Sequence, residues 1–132
     1  MSETPLLERL ADAVADTSAP MDAADRAALA ELLPLIEQYV ADEGLPADGD
    51  RMLAIAVHAL AFARRVRTGE QLDEMAPELY AEVPPERLAA TRRLVDAYAG
   101  PRAYAAPDSE VLLFALHFEV ARQQIPVHGS GD

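Results

Sequence analysis

Apolar residues along most of this chain recur every three or four positions, which is the spacing of one face of an α-helix. The first such segment begins at Thr4 and Pro5, which can cap a helix and occupy its first position. Its apolar face consists of Leu6, Leu7, Leu10 and Val14. The segment 17–20 breaks the pattern, so the chain is predicted to begin with a short amphipathic helix.

A second and longer helix is predicted to start at the N-cap residue Asp22 and to end at Gly44, a residue typical of helix C-termini. Its apolar positions keep a period of 3.6 residues: Leu29, Leu32, Leu33, Ile36 and Val40. Pro34 lies inside this helix. Because proline removes one backbone hydrogen bond, it is expected to kink or divide the helix.

Four further helices are predicted. They are a third helix capped by Asp48 or Asp50 that runs to about Thr68, a short fourth over 71–80, a fifth over 85–99, and a last one that opens at Asp108 and stops before Pro126. The third and last are apolar on nearly every side, at Val57 among other positions, which places them in the middle of a bundle. No segment alternates with period two. The predicted fold class is therefore all-α, an antiparallel helical bundle of about five main helices with an extra N-terminal helix.

The length of 132 residues favours one main domain. We divide the chain into an N-terminal helical extension over 1–21, a helical domain over 22–125 and a flexible tail over 126–132. No apolar stretch approaches the 18 or so residues that a membrane-spanning helix needs. The first residues also lack the apolar run of a signal peptide, so a cytoplasmic location is expected.

The charge of the chain is strongly negative. Eleven basic residues, all of them arginine, stand against 23 acidic ones, for a net charge of −12. Such a field repels nucleic acids and anionic membranes, so we expect neither as a direct partner. Cysteine is absent, which excludes disulfides and thiolate metal sites.

The few polar residues on the two most apolar helices are spaced seven positions apart. They are Arg51, His58 and Arg65 on the third helix, and Glu110, His117 and Gln124 on the last. A step of seven residues returns to within about 20° of the same helix face. Because buried polar groups need partners, the two stripes are expected to meet or to line one groove. The nearby Arg64 and Arg67 are assigned to a solvated face.

Two segments around these histidines resemble the PTS regulation domain, a regulatory domain of the sugar phosphotransferase system. Residues 55–69, IAVHALAFARRVRTG, are similar to its first histidine segment. Residues 110–118, EVLLFALHF, are similar to its second, which has an acidic residue seven positions before the histidine. The order of the two segments and their separation are those of the family.

Weaker similarities lie outside the histidine segments. The region 72–87 resembles the family's intervening segment through four residues: Glu78, Tyr80, Pro84 and Glu86. Residues 35–45 resemble the family's first helix. The resemblance extends over about 29–123, and residues 1–21 have no counterpart in it.

The resemblance implies a homodimer whose histidines accept phosphate from the phosphocarrier HPr or from a sugar-permease component. By motif match, His58 and His117 are the expected phospho-acceptors, supported by Arg65, which would neutralise incoming phosphate, and by Glu110. Arg51 belongs to the same stripe and is counted as a further supporting residue.

Two departures from the family shape the functional prediction. The family usually has aspartate immediately before its first histidine, where this chain has Val57. His117 is therefore expected to be the better acceptor. The second departure is that no output domain is expected in this chain, so the signal is expected to pass through an unidentified partner protein.

We therefore expect a non-enzymatic regulatory module without a cofactor or metal. One alternative is a structural or scaffolding dimer whose histidines only pack and form hydrogen bonds. The other is an enzyme or metal site, in which His58, His117 and Glu110 could bind zinc. The absence of His-x-x-x-His and Glu-x-x-His spacings disfavours this metal site.

Overall fold

The computed structural model of the chain describes residues 5–15, 20–46 and 49–123. The helices in these residues are α1 (Pro5–Val14), α2 (Ala23–Asp42), α3 (Gly49–Thr68), α4 (Pro77–Tyr80), α5 (Pro85–Ala99) and α6 (Asp108–Gln123). A short 3-10 turn, Gly100–Arg102, follows α5. No strand occurs within the described ranges, and the all-α helical bundle predicted from the sequence is confirmed.

Helix α2 has the limits that its sequence predicts. Asp22 and Asp25 form a capping box, in which the Asp25 N–H donates to Asp22 Oδ1 at 2.8 Å and the Asp22 N–H donates to Asp25 Oδ2 at 3.1 Å. Gly44, just beyond the helix, has a φ of +65°, a left-handed conformation that glycine adopts readily. Pro34 does not divide α2, which continues through it while the flanking Leu33 and Ile36 stay buried in the core.

The fourth helix is shorter than predicted. Residues 70–76 have no regular secondary structure, and α4 begins only at Pro77. The backbone of Ala76 is extended, because a residue that precedes proline is disfavoured in the helical conformation. The preceding segment instead bonds to the start of α6, where Ser109 Oγ donates to the Leu72 carbonyl at 3.2 Å.

The remaining predictions concern helix caps and the C-terminal tail. Helix α3 already includes Asp50, so this residue does not cap it. The alternative cap Asp48, the first cap Thr4 and the tail over 126–132 lie outside the described residues.

Helices α1, α2, α3, α5 and α6 share one hydrophobic core. Phe62 on α3 meets Phe114 on α6 edge to face, with ring centroids 5.4 Å apart, and so joins the two helices that carry the histidines. Helix α1 contributes Leu7 and Leu10, both essentially inaccessible to solvent, to the same core. It therefore packs as a member of the bundle, while the domain division at residue 21 stays a prediction.

A buried carboxylate also joins α2 to α3. Asp25 is only 1% exposed and accepts hydrogen bonds from Arg64 Nη2 at 2.7 Å and Arg67 Nη1 at 3.0 Å. Burial alone would raise the pKa of Asp25, but these bonds and the backbone N–H of Asp22 outweigh it and hold the pKa at about 2. The two arginines keep part of their side chains in solvent, as predicted, but their guanidinium groups pair with a buried partner.

Candidate functional site

The two polar stripes meet where α3 packs against α6. Arg65 pairs with Glu110, and one heptad further along, the rings of His58 and His117 lie 5.3 Å apart between centroids with an interplanar angle of 31°. The helices are thus antiparallel at this contact. The seven-residue spacing predicted this juxtaposition, although Gln124, the last residue of its stripe, lies outside the described residues.

Glu110 and Arg65 form a bidentate ion pair. Glu110 is fully buried, and the Arg65 side chain is 17% exposed. Arg65 Nη2 donates to Glu110 Oε1 at 2.9 Å, and Arg65 Nε donates to Oε2. The hydrogen bonds that Arg65 donates to Glu110 raise the pKa of Arg65 further above its ordinary value. The charge of Arg65 is therefore balanced within the bundle, and the group does not stand as a free cation beside the histidines.

His58 lies in an apolar environment. Its ring contacts Phe114 edge to face, with centroids 4.4 Å apart. Its Nε2 atom is sealed from solvent and has no hydrogen-bond partner among the described residues. Burial, together with repulsion from His117 and Arg65, lowers the pKa of His58 from 6.5 to about 3. The ring is therefore neutral at neutral pH.

His117 is the more accessible of the two histidines. It lines a shallow surface depression of about 190 Å³, and the depression does not reach His58. The lining residues are Arg51, Leu113, Leu116, His117 and Val120. Burial and the nearby charge of Arg51 lower the pKa of His117, so this ring is also neutral at neutral pH. Neutral imidazole nitrogens can act as nucleophiles, and here one lies next to an arginine at an open surface.

Two large apolar side chains on α3 and α6 are exposed, and one of them, Val120, lines this depression. Val57 on α3 is 45% exposed and Val120 on α6 is 38% exposed, and these two are the exposed large hydrophobic residues among the described part of the chain. The apolar pattern of α3 predicted that Val57 lies in the middle of the bundle, and this prediction is wrong. Helix α6 packs on the face of α3 that carries His58, and the Val57 side chain remains in contact with solvent.

Sequence reasoning missed the part played by Phe114. It lies three residues before His117 and therefore on the same face of α6, so its spacing could have indicated contact with the histidine pair. Its apolar character instead placed it in the core, which is also correct. Phe114 contacts both the core ring of Phe62 and the site ring of His58.

The described residues contain no group of three or more potential metal ligands. None of the described helices has the length and apolar character needed to cross a membrane.

Comparison with known proteins gives one informative similarity. The sequence matches no protein-family model and no curated protein. Among solved structures, a PRD-containing transcription regulator from Lactobacillus casei ATCC 334 is similar, with a TM-score of 0.70 and 20% identity over 93% of this chain and 98% of that chain. At this identity the likeness concerns the fold. The chain therefore has a PRD-like helical-bundle fold.

Proposed function

We propose that this chain is a non-enzymatic regulatory module that accepts a phosphoryl group on His117 and transmits its state to a partner protein. The observation that carries the proposal is the pair of neutral histidines at the α3–α6 contact, open to the surface at His117. The likeness of the fold to a PRD-containing regulator and the two histidine segments support the same reading. The donor is a phosphohistidine on a carrier such as HPr or on a sugar-permease component.

The proposed transfer needs positioning and charge neutralisation more than covalent assistance. The lone pair of one His117 ring nitrogen forms a new N–P bond while the N–P bond of the donor breaks. The bonding electron pair returns to the donor ring, which takes up a proton as His117 releases one from its other ring nitrogen. Arg51 stands beside His117 and lines the same depression, so we assign it the stabilisation of the incoming charge. Arg65, which the sequence suggested for this role, is already paired with Glu110.

We propose that the exposed side chains of Val57 and Val120 contribute to the binding of a second copy of the chain. Exposed apolar groups next to half-buried Leu113 and Leu116 favour association over solvation. Phosphorylation of His117 would then place a charge of about −1.5 to −2 at the edge of an apolar interface and change the stability of the dimer. In this proposal the output partner recognises the altered dimer in the cytoplasm, and neither nucleic acid nor membrane is contacted by this acidic chain.

The test is phosphorylation by a reconstituted carrier. Purified chain is mixed with enzyme I, HPr and phosphoenolpyruvate, and phosphate is mapped by mass spectrometry under conditions that preserve phosphohistidine. We expect label on His117 and none in His117→Ala. Arg51→Gln should slow labelling roughly tenfold, because an electrostatic contact to the transferred group is lost. The matched control is Arg93→Gln, which removes an exposed arginine on α5 and should leave the rate unchanged.

A structural dimer without phosphorylation is the second candidate function. It is favoured by Val57 in place of the family's aspartate and by the packing of His58 against Phe114, which gives that ring a role in the core. Under this candidate, HPr and permease components leave both histidines unlabelled, and the dimer forms all the same. The same labelling experiment therefore separates the two functions.

A further inference from the structure

His58 and His117 lie too close together to act as two independent acceptors. Their ring centroids are 5.3 Å apart, and both rings are held by the same contact between α3 and α6. We infer that the two histidines form one site that holds a single phosphoryl group per chain, on His117, and that its presence there excludes phosphorylation of His58. This inference rests on the proposed function for its biological donor, but it makes its own claim about stoichiometry.

The space around the pair favours His117. The surface depression of about 190 Å³ ends at His117, whereas Nε2 of His58 has no contact with solvent. Phe114 contacts the His58 ring edge to face and occupies space beside it. A donor group that enters along the surface therefore meets His117 first.

The positive charge around the histidine pair can balance one phosphoryl group but not two. Arg51 lies at the His117 side of the site. Arg65 is the other arginine that acts on the pair, and Glu110 balances its charge. A phosphoryl group carries a charge of about −1.5 to −2 at neutral pH. At about 6–10 Å, repulsion from the first group would disfavour the second roughly fivefold to a hundredfold even at the dielectric constant of bulk water.

The experiment counts phosphoryl groups per chain with two donors. One arm uses phosphorylated HPr, and the other uses potassium phosphoramidate, a small chemical donor that needs no carrier recognition. All samples carry His128→Gln, so that the pair contains the only histidines present. Intact mass is followed well beyond the plateau, and the labelled residue is mapped by peptide sequencing at neutral to basic pH.

We expect one phosphoryl group per chain in both arms, located on His117, and doubly labelled chains at less than about a tenth of the singly labelled ones. His58→Phe, which keeps an aromatic ring against Phe114, should still accept one group, and His117→Ala should accept less than a tenth of the wild-type amount. Circular dichroism confirms that each variant keeps its helices. The stoichiometry of the chain that carries only His128→Gln needs no change at the site itself and is decisive.

Each other outcome has a distinct meaning. Doubly labelled chains at the plateau would overturn single occupancy while leaving HPr-dependent labelling, and hence the proposed function, intact. A single label on His58 would overturn the assignment to His117. Single labelling of His117 by phosphoramidate with none from HPr would support the single site and reject HPr as donor. An absence of label in both arms would reject both the site and the proposed function.

Discussion

Replacing His58 by glutamine tests whether this ring is held neutral inside the bundle. In the folded chain the pKa of His58 is about 3, against 6.5 for an ordinary histidine, because the ring is buried beside His117 and Arg65. Below pH 6.5 this histidine therefore binds a proton in the unfolded chain. In the folded chain the same ring stays neutral down to about pH 3. Between these values, stability falls as the pH falls. Glutamine is uncharged at every pH and removes this dependence.

The magnitude follows from the two pKa values. At pH 5 the unfolded chain is stabilised by protonation of this histidine by about 2 kcal/mol relative to pH 7.5, while the folded chain gains almost nothing. The result changes little as long as the folded pKa stays below about 4. Wild-type protein should therefore lose about 2 kcal/mol more unfolding free energy than His58→Gln over this pH interval.

Urea unfolding followed by circular dichroism at pH 7.5 and pH 5 measures the difference. His58→Phe serves as a second comparator, because it also removes the titrating group but keeps an aromatic ring against Phe114. All other groups titrate in all three proteins, so their effects largely cancel. If the wild type and both variants lost equal stability between the two pH values, the reasoning about His58 would be refuted.

Three further substitutions test the ion pairs and the exposed face. Glu110→Gln should destabilise the fold by about 2–3 kcal/mol, because it leaves the guanidinium of Arg65 without its buried carboxylate. Glu31→Gln removes an exposed ion pair and should cost less than about 1 kcal/mol. Chemical denaturation measures both values. Asp25→Asn should cost about 2 kcal/mol at pH 7, and the wild-type advantage should disappear as the pH falls from 3.8 towards 2 in acid-unfolding curves. Val57→Asp should lower the molar mass measured by light scattering from that of a dimer to that of a monomer. Ala97→Asp, at an exposed position on α5, should leave the molar mass unchanged. A chain that is monomeric before any substitution would contradict the proposed dimer.

The helices could be predicted from the sequence because their limits depend on neighbouring residues. Asp22 with Asp25, Gly44 and the proline before α5 each act within a few positions of the chain, so the pattern alone located α2 and α5 closely. The fourth helix was predicted six residues too long, over 71–76, and within this segment the Leu72 carbonyl bonds to Ser109 at the start of α6. There, tertiary contacts and the restriction before Pro77 outweighed the local pattern.

The histidine spacing could also be recognised, because a seven-residue step keeps side chains on one helix face wherever the helix lies. What the sequence by itself determined is therefore the set of helices and the identity of the two stripes. Only the tertiary structure decided which members meet: the antiparallel register of α3 against α6 pairs Arg65 with Glu110 and places Arg51 beside His117. The same packing seals Nε2 of His58 from solvent and leaves Val57 exposed. Contact and exposure depend on how each helix is rotated about its axis and on which neighbouring side chains exclude water. The spacing of residues along a single helix determines neither of these.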